Sequence, residues 1–118
     1  MTILSNIFIA LVALLHLYFL ILEMFLWTKP RGRKTFGNTV EFAQASRVLA
    51  ANQGLYNGFL SAGLFWGIFS GSFEFKVFFL GCVIVAGIYG AFSVSRRIFF
   101  VQALPGIIAL VLVLLTAR

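Results

Sequence analysis

An acid, an imidazole and several carboxamides stand in a chain that is otherwise apolar. Glu23 lies near the end of an apolar run over 6–27, and His16 comes seven residues before it. Both side chains can take up and release protons. The pair therefore suits general acid–base work on a bound molecule, or the coupling of proton binding to transport. A second run brings Asn52, Gln53, Tyr56 and Asn57, a third Tyr89 and a fourth Gln102. Amide and phenol groups at these points would orient a ligand, and Arg47 at the head of the second run would draw in an anionic substrate or lipid headgroup. An ionisable group inside hydrocarbon costs about 2.5–3.5 kcal/mol near a helix centre and less toward the interface, which makes it a functional-site hypothesis by default. The plainer reading treats the amides as interhelical glue, worth about 0.6 kcal/mol each on average.

Several chemistries are disfavoured. One His and one acid make too few ligands for a metal site. The single cysteine, Cys82, has no partner for a disulfide. There is no Ser–His–Asp set, no phosphate-binding loop and no dinucleotide fingerprint, so no cofactor is identified.

The elements that must position these groups are long apolar segments. The chain has 118 residues, 62% hydrophobic and 10% charged, whereas globular chains run near 45–50% apolar and about 25% charged. Lipid is the expected solvent. The runs over 6–27, 48–69, 75–94 and 98–116 each approach the roughly 20 residues a helix needs to cross hydrocarbon. Backbone groups must satisfy one another there, which selects helices over open strands. The expected fold is all-α, a four-helix transmembrane bundle forming a single domain over 1–118. Asn38 or Thr39 is placed to cap a helical extension before the second span.

Charge sets the expected orientation. The first and third connections hold Lys29, Arg31, Arg33, Lys34, Arg47, Arg96 and Arg97, while the opposite side holds only Lys76 and Arg118. The positive-inside rule puts both basic connections in the cytoplasm and both termini on the non-cytoplasmic side. The net charge of +6 is thus a matter of topology, and no nucleic-acid partner is expected. In this arrangement Glu23, Asn52, Gln53, Tyr89 and Gln102 fall toward the cytoplasmic half, with His16 and Asn57 deeper. His16 and Glu23 share one stripe of their helix, and Trp27 extends that stripe to the interface. Gly54/Gly58 and Gly63/Gly67 lie on opposite faces of the second helix in GxxxG spacing, which suits close packing within the chain or in a dimer or trimer.

The pattern of His16, Glu23 and Trp27, the segment Asn52-Gln53-Gly54-Leu55-Tyr56-Asn57-Gly58-Phe59, then Tyr89-Gly90 and Gln102 ahead of Pro105, resembles the bacterial integral membrane family called domain of unknown function 1304. That resemblance implies four helices and a bacterial inner (plasma) membrane, and it implies no activity. A fainter similarity is to the membrane-associated eicosanoid and glutathione metabolism proteins, four-helix trimers with a basic first loop. Their second helix bears an Arg and, a few residues on, an Asn, matched here by Arg47 and Asn52. The Glu expected three residues after the Asn is Leu55 in this chain.

The leading expectation is a membrane protein with a polar pocket for a small molecule or lipid, with Glu23 as acid/base or anchor and His16 assisting. Whether it is an enzyme is left open. A proton-coupled transporter using Glu23 and a structural subunit without ligand are the alternatives. Membrane lipids are the expected surroundings.

Overall fold

A computed structural model of the chain describes residues 2–116. It is all-α, with no strand among the described residues. The elements are α1 (Thr2–Met24), α2 (Pro30–Phe36), α3 (Val40–Ala45), α4 (Arg47–Ser70), α5 (Phe73–Ser93), a π turn (Phe99–Ala103) and α6 (Leu104–Thr116). Three stretches, Thr2–Met24, Phe73–Ser93 and Phe99–Thr116, are long and apolar enough to cross a membrane. At 24 residues α4 is as long as these, but Arg47, Asn52, Gln53, Asn57, Ser61 and four glycines dilute its apolar character.

Six α-helices therefore stand among the described residues where four were expected, because the first connection folds. Pro30 restricts the residue before it to extended backbone, and Lys29 has φ −84° and ψ 161°. A helix running in from α1 must break before that point, and α1 ends at Met24. Trp27, expected to continue the helical stripe, instead lies in the connection. Its indole packs against Phe36 at a tilt, with ring centroids 5.0 Å apart, and its Nε1–H donates to Ser46 Oγ at 3.0 Å. Proline is well suited to the first position of α2. Gly37 closes that helix at φ 70°, a left-handed conformation glycine adopts without a Cβ penalty. Thr39 then caps α3 by accepting from the Phe42 N–H at 3.1 Å. Only Ser46 separates α3 from α4.

The packing forms two compact units, one over Leu15–Phe59 and one made of the segments before and after it. In the flanking unit, Ile9, Val12, Ala13, Leu64, Leu80, Val83, Ala109 and Val113 form a buried cluster. Gly63 and Gly67 lie against Phe79 and Lys76 of α5. Gly71 makes the α4–α5 turn at φ 67°, and Ser72 caps α5 by accepting from the Phe75 N–H. The π turn has an evident cause in Pro105, which has no N–H to close an ordinary turn. The Leu104 N–H bonds instead to the Phe99 carbonyl, one residue further back than in an α-helix. The widened turn comes so close to α5 that a Cβ at Gly87 would lie 2.8 Å from the Ala103 nitrogen.

In the Leu15–Phe59 unit, the Trp27–Ser46 bond ties the first connection to the start of α4. Trp27→Phe keeps an aromatic ring against Phe36 and removes the donor, at an expected cost of about 0.5–1.5 kcal/mol. Thermal unfolding in detergent micelles, beside the Ser46→Ala chain, checks this. Both variants should lose stability, Ser46→Ala somewhat more, since it also removes the bond that Ser46 Oγ–H donates to the Phe42 carbonyl.

Candidate functional site

The second half of α1 and the first half of α4 meet through glycines. A Cβ at Gly54 would lie 2.7 Å from Met24 Cγ and 3.1 Å from Glu23 Cβ, and one at Gly58 would lie 2.7 Å from Leu20 Cδ1. Any larger side chain at Gly54 would hold α1 further off, so the first GxxxG pair is used within the chain. This close approach brings a carboxyl and a carboxamide from separate helices together. Asn57 Nδ2 donates to Glu23 Oε1 at 2.6 Å, short for an N–H···O bond. Glu23 is 6% exposed. Leu22 beside it is fully buried, so the carboxyl sits in apolar packing with an amide as its hydrogen-bond partner.

His16 is also fully buried, edge-on to Phe19 with ring centroids 5.3 Å apart. Seven residues of helix, about 10 Å of rise, separate it from Glu23. Both face inward, as a stripe of that spacing requires.

The remaining expected site residues of this unit lie outside the packed centre. Arg47, Asn52, Gln53 and Tyr56 are exposed. Tyr56 packs edge-to-face on Phe59. Gln53 stands one turn before Asn57 on the same stripe of α4, so the exposed carboxamide leads toward the half-buried one and from there to the carboxyl. Gly54, which permits the whole approach, was legible only as a packing residue. Its GxxxG spacing is the signal that could have connected it to Glu23.

Two expected residues belong to the other unit. Gln102 lies in the π turn and its Nε2 donates to the Val83 carbonyl at 3.1 Å. It thus fastens the π turn to α5 through the backbone. Tyr89 is largely exposed, at one end of a shallow apolar groove along α5 lined by Val77, Phe78, Cys82 and Val85. No cluster of metal-ligating side chains occurs among the described residues.

Fold and site together define an all-helical protein with several helices apolar enough to cross a membrane and one carboxyl buried against a carboxamide. The model of the family described as "Protein of unknown function (DUF1304)" matches residues 10–114. The uncharacterized protein YpaA of Lactococcus lactis subsp. lactis is 33% identical over 115 residues, spanning 94% of this chain and 97% of that one. The chain belongs to the DUF1304 family. No solved structure matches it.

Proposed function

We propose that this is a multi-pass protein of the bacterial inner membrane that binds a small molecule or lipid through a polar centre at Glu23 and Asn57. The observation behind the reading is the 2.6 Å bond between the two side chains, with the carboxyl 6% exposed inside an apolar stretch of helix. Placing such a group in hydrocarbon is costly, and one amide N–H leaves a carboxyl with further capacity to accept hydrogen bonds. A ligand presenting an N–H, an O–H or a cationic nitrogen matches that capacity. Gln53 and Asn52 mark the exposed side from which it would approach, and His16 lies deeper along α1. Tyr56 would supply an aromatic wall, while Arg47 would draw in an anionic portion.

In this reading α4 is the fourth span. Its 24 residues rise about 36 Å, enough to cross the hydrocarbon, and Asn57 finds its partner on the neighbouring α1. The basic connections lie in the cytoplasm and both termini outside. Acid–base chemistry at Glu23 is available to such a site.

Thermal stabilisation of the detergent-purified chain by a panel of apolar amines and quaternary ammonium compounds tests the proposal. The unmodified chain should gain several degrees with at least one member, and Glu23→Gln, which keeps the size and one acceptor, should gain none. Equal gains in both chains would contradict a role for the carboxyl. The Glu23–Asn57 bond also supports a second reading, a clamp between α1 and α4 with no ligand. That reading requires Glu23→Gln to leave every binding response unchanged.

A further inference from the structure

The connection between α1 and α4 has a surface of its own, of which the polar centre uses only Arg47. Over residues 29–47 the chain holds five cations, Lys29, Arg31, Arg33, Lys34 and Arg47, against one acid, Glu41. Lys29, Arg31, Lys34 and Arg47 are exposed. None of the four forms an ion pair with a carboxylate among the described residues. Arg33 is half-buried and donates through Nε to the Thr28 carbonyl, and Arg31 makes one long contact to the Tyr18 hydroxyl at 3.5 Å.

Large apolar side chains interleave with these charges. Phe25, Phe36, Val40 and Phe42 are all substantially exposed, and Trp27 packs at a tilt against Phe36 beside them. An aqueous loop would gain nothing from four such groups in water. A segment at the membrane–water boundary would gain from both kinds. Aromatic rings settle at headgroup depth, apolar faces bury in the acyl boundary, and each Lys or Arg is drawn to anionic headgroups.

The connection is also held in shape. Gly32 is buried directly against the Leu26 carbonyl, where a Cβ would collide. Gly37 and Thr39 stop and restart the helices, and the Trp27–Ser46 bond closes the segment. Its charges and rings therefore stand on a folded platform rather than on a floppy tether.

We infer that residues 25–47 form an interfacial platform that binds anionic phospholipid headgroups of the membrane surface. This rests on the membrane-spanning reading above and extends it, since it concerns the leaflet surface rather than the Glu23 centre. The charge excess chooses an anionic partner, and the exposed rings choose a lipid surface over a free anion.

The test reconstitutes the full chain into vesicles of phosphatidylcholine alone and of phosphatidylcholine with phosphatidylglycerol. Lipids retained by the detergent-extracted protein are then counted by native mass spectrometry. Phosphatidylglycerol should be enriched over its share of the vesicle. The enrichment should fall with added salt, since exposed charges are screened over about 8 Å at physiological ionic strength. Each neutralised cation should weaken retention by up to about fivefold. The triple variant Lys29→Gln, Arg31→Gln, Lys34→Gln should therefore lose about tenfold or more, while Arg96→Gln with Arg97→Gln keeps most of the preference. Inorganic phosphate at millimolar concentration should not compete. Retention in proportion to vesicle composition, insensitivity to salt, or full competition by phosphate would each overturn the inference. Extraction of the chain by alkaline carbonate separates the two readings. A chain stripped from both vesicle types sinks the membrane-spanning reading and this inference together. A chain that stays inserted without lipid preference sinks this inference alone.

Discussion

Gly54→Val should destabilise the chain by about 1–3 kcal/mol, the range for forcing volume into a packed interior. A Cβ alone would sit 2.7 Å from Met24 and 3.1 Å from Glu23, and valine adds two methyls to it. Side-chain rotation of Met24 relieves the first contact. The second involves a Cβ fixed to the α1 backbone, so α1 must move. Moving it draws Glu23 away from Asn57, and ligand stabilisation should be lost with the stability. Gly81 supplies the contrast, since nothing lies within 4 Å of a Cβ there. Gly81→Ala removes backbone freedom from the unfolded chain and should be neutral or stabilising by up to about 1 kcal/mol. Denaturant titration of both variants in one detergent measures the difference. Equal stability would mean that α1 and α4 are not in contact at Gly54.

Glu23→Ala should abolish the ligand response outright, with a more modest loss of stability. Removing the carboxyl leaves the Asn57 amide without its acceptor, which costs about 1–3 kcal/mol in a water-soluble protein. In a bilayer the expected loss is smaller, about 0.6 kcal/mol and at most about 1.7, because the separated helices also find partners for their amides. Steric separation at Gly54 therefore outweighs the lost hydrogen bond as a threat to the fold, whereas loss of the carboxyl outweighs it as a threat to binding. Helical content by circular dichroism should be unchanged in Glu23→Ala, which separates loss of the site from loss of the fold.

The long helices were legible because apolar length is a direct sequence signal, and the residues that break it are distinctive. Gly71 and Ser72 end one run and cap the next. The helix α2 escaped because seven residues give too few turns for periodicity to register, whereas α3 was legible as a capped extension ahead of the second span, with Thr39 as its cap. The punctuation of α2 by Pro30 and Gly37 was nonetheless present. Trp27 was misplaced for a related reason, since its partners Phe36 and Ser46 lie across a folded connection that composition does not reveal.

At the site, the side-chain types were readable and the pairing was not. Glu23 and Asn57 both stand out as polar groups in apolar runs, yet so do Asn52, Gln53 and Gln102. Which amide meets the acid depends on the register of α1 against α4, and Gly54 and Gly58 set that register by admitting Leu20, Glu23 and Met24. Gln102 found a backbone carbonyl at Val83, an acceptor every residue possesses and no sequence pattern marks.

A double-mutant cycle on Glu23→Ala and Asn57→Ala, read as unfolding free energy in one detergent, bears most directly on the pairing of the two side chains. A coupling of about 0.5–1.5 kcal/mol is predicted, since removing either partner should make removal of the other nearly free. Strict additivity of the two single losses would contradict it, and with it the polar centre on which the proposed binding site is built.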